Sequence, residues 1–375
     1  MPKQKVIVVG LGAHGSSTVY HLASRGIEVM GVDQYHPPHS MGSSHGPSRV
    51  FREAYKEGPD YVPFLRRARE LWNRLNTDSG MRSFEVTGGL FMGPPTGFAM
   101  TEMQATSKIH DVEVEILTPA EVRKRFPVFR IPDGWEAIYE VNSSTIFPEV
   151  AVEAHLSLAA KAGADLHYDE RVEGWSAGPS GVTVRTSRGE YRADRLVLTA
   201  GVWMPELLAG LGLPLTVERV TLWMIKPRAN AEWFMPGKCP NASWELGERY
   251  PLYIQADYGT GVKVALDHHG TPTTAETVNR ETTDEDREKI FKEIRRFVPD
   301  LDGEVLDSAV CMYTNTPDLN FVVDHHPEHE NVIVASVCSG HGFKFAPVMG
   351  EILADLATEG SSRFDLDMFS AKRFG

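Results

Sequence analysis

A short apolar run, Val6–Val9, leads straight into Gly10-Leu11-Gly12-Ala13-His14-Gly15. No other junction restricts the fold of this chain as much. A strand that ends in a glycine turn and opens a helix uses Gly10 for the tight turn. It uses Gly12 for close approach to a pyrophosphate and Gly15 for close packing of helix on strand. From Ser16 to Arg25, Val19, Leu22 and Ala23 recur at helical spacing, and Gly26 suits the left-handed position that ends a helix. Ile27–Val32 reads as a second buried strand running into Asp33, which completes a β-α-β unit. Amide groups and the dipole at the helix N-terminus favour phosphates. Asp33 can accept hydrogen bonds from ribose hydroxyls, which favours FAD or NAD over a 2′-phosphorylated dinucleotide. The loop alone does not separate FAD from NAD, and the bland reading is a glycine-rich turn in an unrelated α/β domain.

With 375 residues the chain exceeds one compact core, so two domains are expected. Its net charge, 38 − 51 = −13, argues against nucleic acid or an anionic membrane as partner, because both need clustered positive charge. Three unevenly spaced cysteines, Cys239, Cys311 and Cys338, do not suggest a disulfide framework. No apolar stretch is long enough to span a bilayer, and no leader precedes the first strand. The expectation is a soluble cytoplasmic protein.

A loop rich in Pro, Ser, Gly and His runs from His36 to Ser48, followed by a helix near Tyr61–Asn76 with Phe64, Leu65, Ala68, Leu71, Trp72 and Leu75 on one face. Between Phe84 and Tyr139 the βαβ pattern is lost, marking the first crossing into another domain. Pro148–Ala162 reads as a helix, Gly181–Thr186 and Tyr191–Ala193 as a hairpin around Arg188-Gly189, and Leu196–Thr199 as a strand returning to the first sheet. Val217 to Val310 is strand-rich. Within it Thr271–Asp286 reads as a solvated loop, and Thr283 caps a helix that buries Ile290, Phe291, Ile294 and Phe297. Val332–Ala335 is a final core strand, and a last helix runs from Phe345 to Thr358. The dinucleotide domain is thus assembled from separated stretches: 1–82, 144–215 and 311–375. The inserted domain takes 83–143 and 216–310.

Three further stretches carry a resemblance. These are Gly42-Ser43-Ser44-His45-Gly46-Pro47-Ser48-Arg49-Val50-Phe51-Arg52-Glu53-Ala54-Tyr55, the run from Cys311 to Asp318, and Ser339-Gly340-His341-Gly342-Phe343-Lys344-Phe345. In order and spacing, over nearly the whole chain, they resemble the monomeric sarcosine oxidase and N-methyltryptophan oxidase family. That resemblance implies an α/β (α+β overall) fold. A Rossmann-like FAD domain of the D-amino-acid-oxidase type would carry an inserted mixed-sheet substrate domain. It implies FAD bound covalently through Cys311 at the flavin 8α position; a thiolate beside positive charge suits such an attachment, whereas a lone cysteine is ordinarily a packing residue. Cys239 and Cys338 keep that packing reading.

By the same resemblance, Arg52 and Lys344 are the pair that grips the substrate carboxylate, a fork and a point charge. Lys263, Arg49 and His45 form the catalytic group, with Lys263 over the flavin face to promote oxygen reduction. Tyr55, Tyr313, Tyr253 and His341 border the substrate. Gly10, Gly12, Gly15, Asp33, Ser43, Ser44, Val172, Gly201, Gly342 and Lys344 contact the cofactor. Two structural alternatives stand beside this. Lys263 lies in the alternating run Gly261–Leu266 and could face outward, and any Arg or Lys is most often at the surface. The sequence also departs from the family. The position four residues after Lys263, typically histidine, is Asp267, and His268 and His269 follow it, so a one-residue shift could restore a histidine. His325, His326 and His329 around Pro327 read as a solvated turn rather than a metal site.

The implied reaction is oxidation of a secondary or tertiary amine of an N-substituted amino acid. Sarcosine comes first, giving glycine, formaldehyde and hydrogen peroxide with oxygen as acceptor, in a monomeric enzyme that needs no metal. A larger or cyclic amine acid (N-methyltryptophan, pipecolate, a glycated amino acid) and a dehydrogenase with another acceptor remain open, as does a non-enzymatic cofactor-binding module.

Overall fold

The computed structural model describes residues 5–247 and 251–375. Its first sheet has six strands in the order 322–326, 329–336, 195–198, 5–9, 28–32, 165–167, parallel throughout except for the hairpin at the 322–326 edge. Both faces of this sheet are covered, which is why its strands are continuous apolar runs. Val6 and Val8 face a helical layer containing Ala13–Ser24, Val62–Ser79, Pro148–Lys161 and Ala346–Glu359. Ile7 and Val9 face the other way, onto a three-stranded antiparallel sheet (172–178, 181–186, 189–193) through Val182 and Val184. The hairpin expected around Arg188-Gly189 belongs to that small sheet.

The second large sheet has nine strands. Eight follow the order 271–273, 216–226, 262–266, 251–255, 241–245, 89–93, 136–140, 114–117, and Glu304–Asn315 pairs with 216–226 along its whole length. The strand Glu304–Asn315 runs through position 311 without a break. Helix Asp284–Phe297 covers the back of this sheet. Thr283 and Asp286 form a reciprocal capping box at its start, and Asp286 also accepts two bonds from Arg219, at 3.1 and 2.9 Å. Ile290, Phe291, Ile294 and Phe297 meet Trp223 and Trp244, so these tryptophans are core residues.

Two local expectations change. The segment 271–286 is not wholly a loop, because Thr271–Thr273 adds an edge strand against Val217–Arg219. The turn expected around Pro327 is present, with Pro327 and Glu328 exposed, but histidines 325, 326 and 329 flank it rather than form it. They end one strand and begin the next of the edge hairpin, and His326 is buried, edge-on to Trp175 at 5.5 Å and stacked on His329 at 4.9 Å. Trp175 of the small sheet gives the His326 and His329 rings an aromatic neighbour. A third, small sheet joins Arg49–Phe51, Ser144–Ile146 and Phe84–Val86 and lies beside the site described next. Among the described residues no helix is long and apolar enough to cross a membrane.

Candidate active site

Gly10 takes φ +88°, open to glycine, and donates its N–H to Val32 O at 2.9 Å. A Cβ on Gly15 would stand 1.7 Å from Gly10 O, so Gly15 serves helix–strand packing and does not face the cavity. The Asp33 carboxylate accepts from Leu11 N at 2.7 Å and Tyr35 N at 3.0 Å, which fixes the glycine loop from the neighbouring strand. Helix Ala13–Ser24 has no side-chain cap, and its first N–H, at Ala13, donates to Ser44 Oγ at 3.0 Å. Gly10, Gly12, Asp33, Ser43, Ser44, Val172 and Gly201 all line one elongated cavity that starts here.

The same cavity continues to Cys311, Lys263, Arg49, Tyr253 and Tyr313, and ends at Arg52, Asp267, His341, Gly342 and Lys344. Ser43 Oγ donates to Met312 O at 2.6 Å, which staples the loop from the first sheet to the strand that carries Cys311. Cys311 is buried. Lys263 points inward and is 1% exposed, which excludes the outward orientation that strand alternation alone allowed. Its amine donates to Ser48 O and lies 5.6 Å from the Tyr253 ring centroid. Burial, reinforced by the Arg49 charge, holds that amine well below the usual lysine range. Ser48 is itself held: its Oγ donates to Gln255 Oε1 at 3.0 Å, and Gln255 Nε2 donates to Asn241 Oδ1 at 3.0 Å. Arg49 donates to the carbonyls of Ser48, His45 and Ser43 at 2.9, 2.7 and 3.2 Å. His45 lies behind it, outside the cavity lining. Its carbonyl is used and its ring is buried, and burial beside Arg49 lowers its pKa to about 4.

At the far end, Tyr55 is fully buried behind the cavity wall. His341 Nε2 donates to Leu319 O at 3.0 Å, which leaves Nδ1 of a neutral ring to accept from Tyr55 Oη at 2.7 Å. Burial keeps that ring neutral, with a pKa near 4. Lys344 Nζ donates to His341 O at 2.6 Å and to Tyr55 Oη at 3.3 Å. Burial, with Arg52 as a nearby like charge, draws its pKa down to about 7. Arg52 Nη2 stands 3.7 Å from Glu57 Oε1, and its buried Nε has no partner among the described residues. Burial would raise the Glu57 carboxyl, but Lys56 at 3.4 Å and Arg52 together hold it well below the usual range.

Asp267 occupies the position where a shifted histidine was conceivable. It lines the cavity, whereas His268 turns away at φ +50°, pairs with Glu218 at 3.1 Å and meets the Tyr313 ring at 5.2 Å. No register shift restores the histidine. Cys239 is buried in the second sheet's core, and Cys338 lines the cavity while its Sγ accepts from Thr314 N at 3.3 Å. Among the described residues no group of three or more His, Cys, Asp or Glu side chains could hold a metal ion.

Sequence reasoning missed Lys56, Glu57, Gln255 and Glu140. Glu140 is a buried carboxylate that accepts from the N–H groups of Glu53 and Ala54 at 2.9 and 3.1 Å, immediately after Arg52. The signal was present: an acid closing the apolar strand Glu136–Glu140 is costly unless the fold supplies donors.

A helix N-terminus over the glycine loop, a carboxylate at Asp33 and a buried thiol further along the same cavity suit a dinucleotide with a ring system to anchor. Residues 5–356 match the model of the FAD-dependent oxidoreductase family, to which the chain belongs. It is 38% identical to a monomeric sarcosine oxidase of Streptomyces avermitilis over 99% of this chain and 98% of the relative. It is 33% identical to an N-methyl-L-tryptophan oxidase of Yersinia pestis over 98% and 99%. Within the larger family the chain is therefore a flavin amine oxidase of the monomeric sarcosine oxidase type. The fold is shared with L-proline dehydrogenase from P. horikoshii (TM-score 0.86, 22% identity, 99% of this chain and 98% of that one). It is shared too with NikD, an amino acid oxidase of nikkomycin biosynthesis (0.84, 23%, 98% and 97%).

Glu140→Gln puts an amide N–H₂ where a carboxylate oxygen now accepts, leaving a buried backbone donor unpaired. The expected cost is about 2 kcal/mol of unfolding free energy in a urea titration, with a raised Michaelis constant because the Arg52 segment loosens.

Proposed function

We propose that the protein oxidises the secondary or tertiary amine of an N-substituted amino acid, with N-methylglycine the first candidate. One observation carries this reading: Cys311 and Lys263 share a single cavity with the cationic pair Arg52 and Lys344. The similarity to sarcosine and N-methyltryptophan oxidases supports it. The balanced reaction is amine, oxygen and water giving the dealkylated amino acid, an aldehyde and hydrogen peroxide. FAD, when bound, supplies the acceptor for a hydride equivalent from the carbon next to nitrogen.

Each side chain then has a defined part. Cys311 is the covalent anchor, and Gly12, Ser44 and the helix end above them hold the pyrophosphate. Asp33 holds the ribose. Arg52 and Lys344 receive the substrate carboxylate, and Tyr55 and His341 set the lysine from behind. Lys263 promotes oxygen reduction: positioned by Ser48 and Gln255, its amine takes up a proton and so puts positive charge where negative charge develops. Tyr253 and Tyr313 wall the cavity and keep water from the reacting carbon. The residue stretches 1–82, 144–215 and 311–375 act as the FAD domain and 83–143 with 216–310 as the substrate domain, in a single-chain cytoplasmic enzyme.

A peroxide-release screen of N-methylglycine, N-methyltryptophan and pipecolate tests the activity; no peroxide with any N-substituted amino acid would reject it. Acid-precipitated wild type should be yellow, and Cys311→Ala should give a colourless pellet. Colour that survives in the variant places the tether elsewhere.

The low pKa of Lys344 gives a pH dependence with a definite sign. Its amine is charged below about pH 7 and loses its proton above it. Inhibition by acetate, whose own charge is constant there, should therefore weaken several-fold between roughly pH 7 and 9. In Lys344→Met it should be weak and flat across that range.

A further inference from the structure

Two carboxylates stand in the otherwise cationic end of the cavity, and they are not equivalent. Glu57 is engaged, with Lys56 at 3.4 Å and Arg52 at 3.7 Å, and one of its oxygens is sealed from solvent. Asp267 follows directly on the strand Val262–Leu266 that carries Lys263, and its backbone is pinned by a 3.0 Å bond from its N–H to Pro251 O. Its side chain lines the cavity and keeps 16% exposure. Among the described residues its ion-pair partner is Lys56 Nζ at 3.9 Å, beyond hydrogen-bonding reach. An acid so placed has acceptor capacity aimed at whatever fills the cavity.

The other groups around Asp267 sharpen the point. Lys344 feels its charge from one side, and Tyr55, Tyr253 and Tyr313 feel it from the wall. His268, next in the chain, is already committed to Glu218. Arg52 and Lys56 at this end, with Arg49 further in and Lys344 when it is protonated, would repel any guest that carries a positive charge. An amino acid at neutral pH carries one, on its amine, next to the carboxylate that those cations attract.

We propose that Asp267 binds the substrate's ammonium group, so that this end of the cavity is a receptor for a zwitterion and selects amino acids over simple carboxylates. This rests on the reading of the Arg52–Lys344 niche as an amino-acid site. The substrate arrives protonated, with its carboxylate on Arg52 and Lys344 and its N–H⁺ donating to Asp267. It must give up that proton before the carbon–hydrogen bond next to nitrogen can be broken. Asp267 is thereby a specificity residue.

A pair of guests of equal shape tests this without turnover. 2-Aminoisobutyrate and 2,2-dimethylpropanoate differ only by ammonium against methyl, and neither has a hydrogen on the carbon that would be oxidised. Their dissociation constants are measured by titration calorimetry on the holoenzyme, wild type and Asp267→Asn. The wild type should prefer the ammonium guest, and the preference should fall about tenfold in the variant, as expected for loss of a charge-assisted hydrogen bond. Asp267→Glu, which keeps the charge, should retain most of the preference, and this separates charge from packing. An equal preference in wild type and Asp267→Asn overturns the proposal, as does failure of 2-aminoisobutyrate to bind the wild type. Peroxide release from N-methylglycine is scored separately: its absence rejects the proposed activity, while the ratio of affinities still decides the role of Asp267.

Discussion

Three backbone carbonyls, those of Ser43, His45 and Ser48, converge on the guanidinium of Arg49, and the two large sheets share one cavity because of the loop so clamped. The loop begins beside the glycine turn, where Ser44 accepts from the helix N-terminus. It is stapled through Ser43 to the strand of Cys311 and through Ser48 to Lys263. A part-buried guanidinium is expensive to desolvate unless its N–H groups are matched, and here they are matched by groups that must themselves be satisfied. Removing the arginine would take a donor from all three carbonyls, leaving Ser48 O with Lys263 alone, and would release a segment that touches the glycine turn, the strand of Cys311 and Lys263 together.

Global charge and local charge oppose each other in this protein. The chain carries a net charge of −13, yet the cavity gathers Arg49, Arg52, Lys263 and Lys344. Burial, not a neighbouring acid, dominates both lysines, and it pushes the amines toward the neutral form. Lysine rather than arginine suits such a place because its charge can be lost and regained within the working pH range, whereas a guanidinium stays charged. An anionic guest reverses the balance by restoring the partner that burial removed.

The periodic parts of the fold were legible. The glycine turn, the strand ending at Asp33, the helices 62–79 and 284–297 and the hairpin around Gly189 follow from spacing and cap chemistry, and the structure contains each of them. The site was legible as residue types but not as orientations. Alternation along Gly261–Leu266 cannot say which side is buried, so the inward direction of Lys263 needed the partner strands 251–255 and 216–226. Tyr55 and His45 stand behind the cavity surface because the residues that reach it, Lys344 and Arg49, are longer. At Glu140 a buried acid closing a strand was legible in the sequence, but its partners were not, because they are the backbone N–H groups of Glu53 and Ala54, which carry no sequence signature. Thr271–Thr273 reads as loop by composition and becomes strand only because the edge of strand 216–226 offers unpaired groups.

What the niche at the end of the cavity asks of a guest follows from which of two opposing effects prevails at Glu57. Burial alone would protonate that carboxyl, but the cations Lys56 and Arg52 outweigh it and keep it ionised. An ionised Glu57 is occupied with its cations and cannot offer much to a ligand, yet it relieves the repulsion between Lys56 and Arg52 that would otherwise drive them apart. The cations left facing the cavity can then attract a carboxylate without collapsing onto an internal partner, because Arg52 meets Glu57 only at 3.7 Å. A tighter internal pair would have closed the niche, and a missing one would have left the buried charges uncompensated. The loose pairing holds the site open and charged, and that is the state a carboxylate guest requires.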